Sequence, residues 1–333
     1  MLSRMTLALV LLLGVNLIAR AQEEPLPEGH STHGEAFNEG PRQAGYLMEG
    51  QGTVDFPITT QSAEVRELVN QGVAQIHVFF YFEAERSVRQ AATIEPDNPM
   101  LYWGMAMANV NTADRAKGFL KVAREKAETA AISRRERLYL DALSALYKED
   151  GDDKSRRQGW LKGLEKIVQE FRDDLDARSW LAMVTWQNSR QDGIGSREAV
   201  SILIDTVLEK NPLHPGAHHY KIHLWDKQDD TQALASAAKF AEASPGIAHA
   251  WHMPGHTYTN LKRYSDAAYQ QEGSARVDHE YMIRDRVMPF LIHNYSHNNQ
   301  WLAESLTRTG RLRDAVAVAR DLVEQPRDPK KNN

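Results

Sequence analysis

Ten of the thirteen histidines in this 333-residue chain fall between His214 and His297. Nine of them sit in three phrases, HPGAHHYKIHLWD from His214 to Asp226, HAWHMPGH from His249 to His256, and HNYSHNN from His293 to Asn299, and the tenth is His279. An imidazole can donate, accept, stack, or ligate zinc, copper, nickel or iron. Pairs four residues apart on a helix can offer two ligands to one ion. Three readings follow. The first is a transition-metal site, copper or zinc, with His219, His223, His249, His252 and His256 as ligands and Asp226, Asp278 or Met253 available to complete the sphere. The second is a polar groove for a peptide, a protein partner or a small ligand, lined by His77, His218, Trp251, Tyr258, Asn260 and His297, with Trp225 as a further platform. The third is a set of core histidines that satisfy buried backbone groups. With no cysteine in the chain, disulfides, thiolate ligands and cysteine nucleophiles are excluded. His279-Glu280 begins like a zinc-protease HExxH, but Ile283 stands where the second histidine belongs, and neither a GxSxG elbow nor a phosphate-binding glycine loop is present. His252 and Asp278 could be drawn as an acid/base pair, but nothing in the sequence fixes their separation, and no catalytic residue is assigned.

Helices must position these rings. From about Ser62 apolar residues recur at three and four spacing, through Val65, Leu68, Val69, Gly72, Val73 and Ile76. Ser133 to Glu136 reads as a capping box ahead of Leu138, Leu140 and Leu143. Pro99, Pro215 and Pro245 follow cap-like residues, where a first-turn proline is tolerated. No strand-like alternation persists, and the gaps between helical stretches are short, which implies antiparallel neighbours. The predicted class is all-α. Glu83 and Glu85 with Arg86 and Arg89 read as a solvated helix face.

A 34-residue period organises the helices. Tetratricopeptide (TPR) units place small residues at positions eight and twenty and proline at thirty-two. A unit begun at Val65 puts Gly72 eighth, Ala84 twentieth and Pro96 thirty-second; one begun at His214 puts Ala233 twentieth and Pro245 thirty-second. The next, from Ala248, puts Gly255 eighth, Tyr258 eleventh and Ala267 twentieth. A weaker unit starts near Ser296, with Ala315 twentieth. The clearest repeats thus run near 65–98, 214–247, 248–281 and 296–329, and residues 113–210 read as degenerate hairpins. The whole is a TPR-like helical-hairpin solenoid over 61–325. At 100° per residue His249, His252 and His256 share an arc of about 60°, on first-helix positions that face the concave surface of such a solenoid. His218, His297 and His77 fall at related positions. His219 and His223 lie on a different face from His214 and His218, and a one-residue slip of register would exchange His218 for His219, so both pairs stay in consideration.

The ends read differently. Arg4, the apolar run Thr6 to Ile18 and Ala19-Arg20-Ala21 make residues 1–21 a cleavable signal peptide, with a mature start at Gln22 and a periplasmic or secreted location. The run is shorter than a membrane span needs, so no span remains after cleavage. Residues 22–60 form an irregular extension rich in glycine and proline. It is predicted to lie across the repeats, His30 and His33 included, and to cap the groove. A formal charge of -5 without a basic stretch argues against nucleic-acid binding.

The chain resembles exported bacterial TPR proteins with a histidine-rich pattern. The resemblance rests on FPITT (Phe56 to Thr60), the run from Tyr81 to Asn109 that begins YFEAERS and holds YWGMAMAN, and the run from His214 to Ala268 with its HHYKIHLWD and HAWHMPGH phrases. It implies the solenoid fold, an exported location and, by analogy with other TPR proteins, a binding role. It assigns no residue a catalytic part.

Overall fold

A computed structural model describes residues 44–327 except residue 293. The signal segment 1–21, its cleavage point, His30, His33 and His293 lie outside the described residues. Among those described there are fourteen α-helices and two short 3-10 turns, with no strand: α1 Ala63–His77, α2 Tyr81–Ile94, α3 Pro99–Ala108, α4 Ala113–Ala127, α5 Arg134–Leu146, α6 Asp153–Glu170, α7 Leu175–Asp192, α8 Arg197–Lys210, α9 Pro215–Trp225, α10 Leu234–Ala243, α11 Ala248–Asn260, α12 Tyr264–Asp285, α13 Tyr295–Arg308 and α14 Leu312–Glu324, with turns at Asp230–Ala233 and Pro289–Leu291. The protein is an all-α, TPR-like solenoid of seven hairpins, each odd-numbered helix packing on the next even one. No helix among the described residues is long and apolar enough to cross a membrane.

The helix starts follow from local chemistry. Ser62, Asn98, Asp152, Asp174 and Ser196 each accept a backbone N–H of the first turn through the side chain. Ser133 and Glu136 close a full capping box. At α9 the cap is His214, whose Nδ1 accepts from Ala217 N at 3.2 Å, with Pro215 directly after it. α9 touches α11 and α11 touches α13, so these three form one continuous layer, and α1 returns to pack against α9.

The interior of this curve is filled by the chain itself. Residues 44–60 run extended across the hairpins, held at many points. Phe56 N donates to Asn70 (2.9 Å), Thr59 N to Glu136 (2.6 Å), Arg135 to the Pro57 carbonyl (2.8 Å), and Gly246 N to the Gly50 carbonyl (2.8 Å). Val54, Phe56 and Ile58 are buried in the main core. Extended backbone without a sheet partner needs such donors and acceptors for its polar groups, and the hairpin side chains supply them.

The YFEAERSVRQ stretch corrects the reading of a solvated face. Glu83, Glu85, Arg86 and Arg89 are all buried. Arg86 pairs with Glu83 (2.9 Å) and reaches across to Asp285 on α12 (2.6 Å), and Tyr281 donates to Glu83. Glu85 is shared by Arg89, Arg115 and Asn109. Charges at helical spacing looked solvated because their partners lie far away in the sequence, where periodicity cannot see them.

One buried carboxyl gives a testable pH effect. Asp278 on α12 is pushed from an ordinary 3.8 up to about 7 by burial, against the opposing hydrogen bond from Asn298 (3.0 Å). A carboxyl raised in the folded state holds its proton more tightly there, so its stabilising share is complete below about pH 4 and is lost as pH climbs toward 7. Asp278→Asn is therefore expected to melt higher than the natural protein at pH 8, by up to a few kcal/mol (about 1.4 per pH unit), and to match it near pH 4. Melting curves at the two pH values check this.

Candidate metal centre

Two three-histidine groups assemble on the layer of α9, α11 and α13. The first is His219 and His223 from α9 with His249 from α11; the second is His252 and His256 from α11 with His297 from α13. In each, the three ligand nitrogens lie within 4.8 Å of one another. Of the residues read as metal ligands, all five are thus brought together, and His297, read as part of a groove, joins them.

Hydrogen bonds fix the tautomers. His219 Nδ1 faces the His77 carbonyl at 2.7 Å. A carbonyl only accepts, so Nδ1 carries the hydrogen and Nε2 keeps its lone pair. His252 Nδ1 faces Gln271 Oε1 at 2.9 Å, and the same amide donates from Nε2 to the His252 carbonyl at 3.1 Å, which sets the amide's orientation. His252 therefore also presents a bare Nε2. Those nitrogens point at their neighbours: His219 Nε2 is 3.0 Å from His249 Nε2, and His252 Nε2 is 2.7 Å from His256 Nε2. Nitrogens about 2.0–2.1 Å from one ion stand roughly 2.9 Å apart at a right angle and about 3.4 Å apart in a tetrahedron, so small movements would admit an ion. His223 Nε2 is buried and has no hydrogen-bond partner among the described residues.

The surroundings favour the neutral form of three of the rings. Burial, then the neighbouring His219, holds His223 well below the ordinary histidine range. Burial, then His297, pushes His256 down to about 3, and burial lowers His297. Neutral imidazole is the form that ligates a metal. Aromatic rings wall the groups. Phe79 lies 4.4 to 6.0 Å from the three rings of the first, Trp186 stacks on His223 at 4.5 Å, and Trp301 is 4.0 Å from His256. Phe79 holds a positive φ of 59°, rare for an aromatic residue, in the turn that ends α1. The groups also grade in exposure, from buried His219, His249 and His252 to exposed His297.

The remaining histidines are engaged otherwise. His77 Nε2 donates to Asp176 (2.8 Å) and its Nδ1 faces Tyr220 Oη (3.0 Å). Since His214 Nδ1 accepts the capping N–H, its hydrogen sits on Nε2, which faces Asp176 at 3.4 Å. His77, Asp176 and His214 are close enough to suggest a third site, but these tautomers turn N–H groups toward the carboxylate rather than lone pairs toward an ion. Burial holds His77 down at about 4. Burial would raise Asp176, but the facing His214 and His77 rings outweigh it and keep the carboxyl below its usual range. His218 donates Nε2–H to the Pro212 carbonyl (2.9 Å) and faces Ser236 (3.2 Å) with Nδ1.

The other groove residues are dispersed. Tyr258 is buried beneath the Arg263 guanidinium. Trp251 donates to the Pro245 carbonyl. Asn260 bridges Asp226 (2.9 Å) and Asp230 (2.8 Å), so Asp226 is engaged there. Met253 is in the core and Asp278 bonds Asn298. Gln271, Phe79, Trp186 and Trp301 had no place in the sequence reading. Only Trp301, four residues after His297, carried a periodic signal.

Gly255 connects repeat signature and site. A Cβ there would overlap the Gln271 amide, so the small residue of the TPR eighth position here makes room for the anchor of His252. Gly255→Ala is expected to displace Gln271 and weaken metal retention at the second group by roughly 10- to 100-fold, the usual loss for a disturbed outer-shell partner. Metal titration of the variant, with its melting temperature as a folding control, checks this.

No protein-family model and no curated protein matches the chain. Solved structures are similar to parts of the chain at low identity. MamA from Desulfovibrio magneticus RS-1 is 14% identical, over 58% of this chain and 96% of that one, with a TM-score of 0.44. YrrB, described as a TPR protein with an unusual peptide-binding site, is 17% identical, over 61% and 97%, with a TM-score of 0.34. Yeast Tom70 is 13% identical, over 79% and 63%, with a TM-score of 0.39.

Proposed function

We propose that this protein is an exported, TPR-like solenoid that binds transition-metal ions, copper or zinc, through its two three-histidine groups. The carrying observation is the pair of anchored tautomers: His219 and His252 each commit Nδ1–H to an oxygen and direct a bare Nε2 at further imidazoles. That is the outer-shell arrangement ligating histidines characteristically have. At His218, by contrast, both ring nitrogens face oxygens, the Pro212 carbonyl and the Ser236 hydroxyl, and none faces another imidazole. Imidazole donors without thiolate suit copper(II) and zinc. Three protein ligands leave an ion an open position, as in catalytic zinc sites, so chemistry on a bound small molecule is compatible with the site.

Elemental analysis of untagged protein, paired with melting curves with and without copper(II) or zinc, tests the proposal. Retained metal, with a melting point that rises on loading, is the expected result. Metal-free protein whose melting point ignores both ions would overturn it.

A protein partner is the second reading. The observation favouring it is on α14, where Leu312, Val316 and Val323 form an exposed apolar stripe at the end of the solenoid. The concave groove is a poorer candidate for an incoming peptide, because residues 44–60 already lie in it. Pull-down with protein carrying Val316→Lys and Val323→Lys, against the natural chain, separates the stripe from the rest of the surface; equal capture by both would reject it.

A further inference from the structure

The geometry points to one dinuclear centre rather than two independent sites: we infer that two metal ions sit side by side and share a small anionic oxygen ligand, hydroxide in the resting state. The inference rests on the metal-binding reading above. Its first support is continuity. His249 and His252 belong to different groups yet stand one turn apart on α11, with near-parallel rings (27°) 5.8 Å between centroids. Within the groups, neighbouring rings are 4.7 Å (His219–His223), 4.8 Å (His219–His249), 4.6 Å (His252–His256) and 5.0 Å (His252–His297) apart. The step between the groups is therefore little longer than the steps inside them, and six imidazoles form one unbroken row.

The second support is charge. Neither group contains a carboxylate. Two divalent ions held by six neutral imidazoles would place four positive charges in a half-buried, aromatic-walled site. Uncompensated charge is very costly where water is scarce. An anion must enter with the metals. An ion with three protein ligands has a vertex to receive it, and a metal-bound water readily gives up a proton to become that anion.

The third support is the placement of the walls. Phe79 flanks the first group and Trp301 lies 4.0 to 6.2 Å from all three rings of the second. A phenyl ring has no ligating atom, and an indole nitrogen carries a hydrogen and offers no lone pair, so these walls leave the open vertices to a ligand from outside the protein. A bridging oxygen serves both ions and supplies the missing charge. The ligand class that would displace it is a small oxyanion or a compact anion such as azide.

The test is electron paramagnetic resonance of the full-length, untagged protein loaded with copper(II) and analysed for copper content. Two coppers per chain with a spin count far below two, because the bridge couples the unpaired electrons, is the expected result. Azide should then change the absorption spectrum with a stoichiometry of one per copper pair. His297→Ala, at an exposed position, should bind one copper and restore a full single-copper signal, with circular dichroism confirming its helices. Two coppers with a spin count of two would overturn the dinuclear centre and leave metal binding intact. One copper in the natural protein would also overturn it, and no copper would remove the underlying reading as well. A His297→Ala protein that keeps the coupled pair would contradict the assignment of that residue to the second ion.

Discussion

Replacing Phe56 with alanine is expected to destabilise the protein by about 3–5 kcal/mol, the usual loss when a buried aromatic ring is truncated. Phe56 belongs to no helix, yet it is among the largest fully buried side chains. Its ring stacks on Trp103 at 5.2 Å and meets Tyr139 and Trp180 edge-on at 5.0 and 5.9 Å, while the Arg135 guanidinium lies over it at 4.3 Å. These residues come from α3, α5 and α7, so one side chain joins three hairpins. A solenoid normally contacts only its nearest repeats. Here the extended segment and the return of α1 to α9 give it long-range closure. Phe56→Ala should therefore lower the midpoint of urea unfolding and also broaden the transition, as hairpins lose their common brace. Unfolding followed by circular dichroism reads both effects. A loss under about 1 kcal/mol, outside the range for buried aromatics, would mean that the segment is a loosely held tail.

The second large effect concerns metal retention. His252→Ala removes a proposed ligand whose ring is buried, anchored by Gln271 and 2.7 Å from His256. The second group is then left with two imidazoles, one of them exposed. Loss of its ion at micromolar metal is expected, while the first group keeps its own. Gln271→Leu spares the ligand and removes only its anchor, so it should weaken binding by roughly 10- to 100-fold. This ordering matters more than either value. A nonspecific effect of core damage would lower melting temperature in both variants without ranking their affinities. Isothermal titration with copper(II) or zinc, beside melting curves of the metal-free proteins, separates the two. Equal affinities in the natural protein and His252→Ala would remove that residue from the site.

The helices were legible because their signals are local. The capping box at Ser133, the prolines after Asn98 and His214, and the 34-residue period all act within one hairpin. The histidine cluster was legible for a related reason: three rings within one helical arc must share a face. What the sequence could not show depends on closure. His77 lies 142 positions from His219, yet its carbonyl sets that ring's tautomer. No periodicity connects Glu83 to Tyr281 or Arg86 to Asp285, so a buried ionic network looked like a wetted surface. The concave positions were assigned as in an open solenoid. Here residues 44–60 pack across the hairpins, and His77 and His218 are interior groups bonded to Asp176 and Tyr220 and to Pro212 and Ser236. Gly255 shows the limit most plainly: its smallness was evident from the repeat, but that it serves the Gln271 amide follows only from coordinates.

Anomalous X-ray diffraction from crystals of copper- or zinc-loaded protein, recorded on both sides of the metal's absorption edge, addresses the central assignment most directly. Two density peaks are expected, one about 2.0–2.1 Å from the nitrogens of His219, His223 and His249 and the other equally placed among His252, His256 and His297. Peaks confined to surface carboxylates, or absent while the six rings keep their hydrogen bonds to one another, would contradict it.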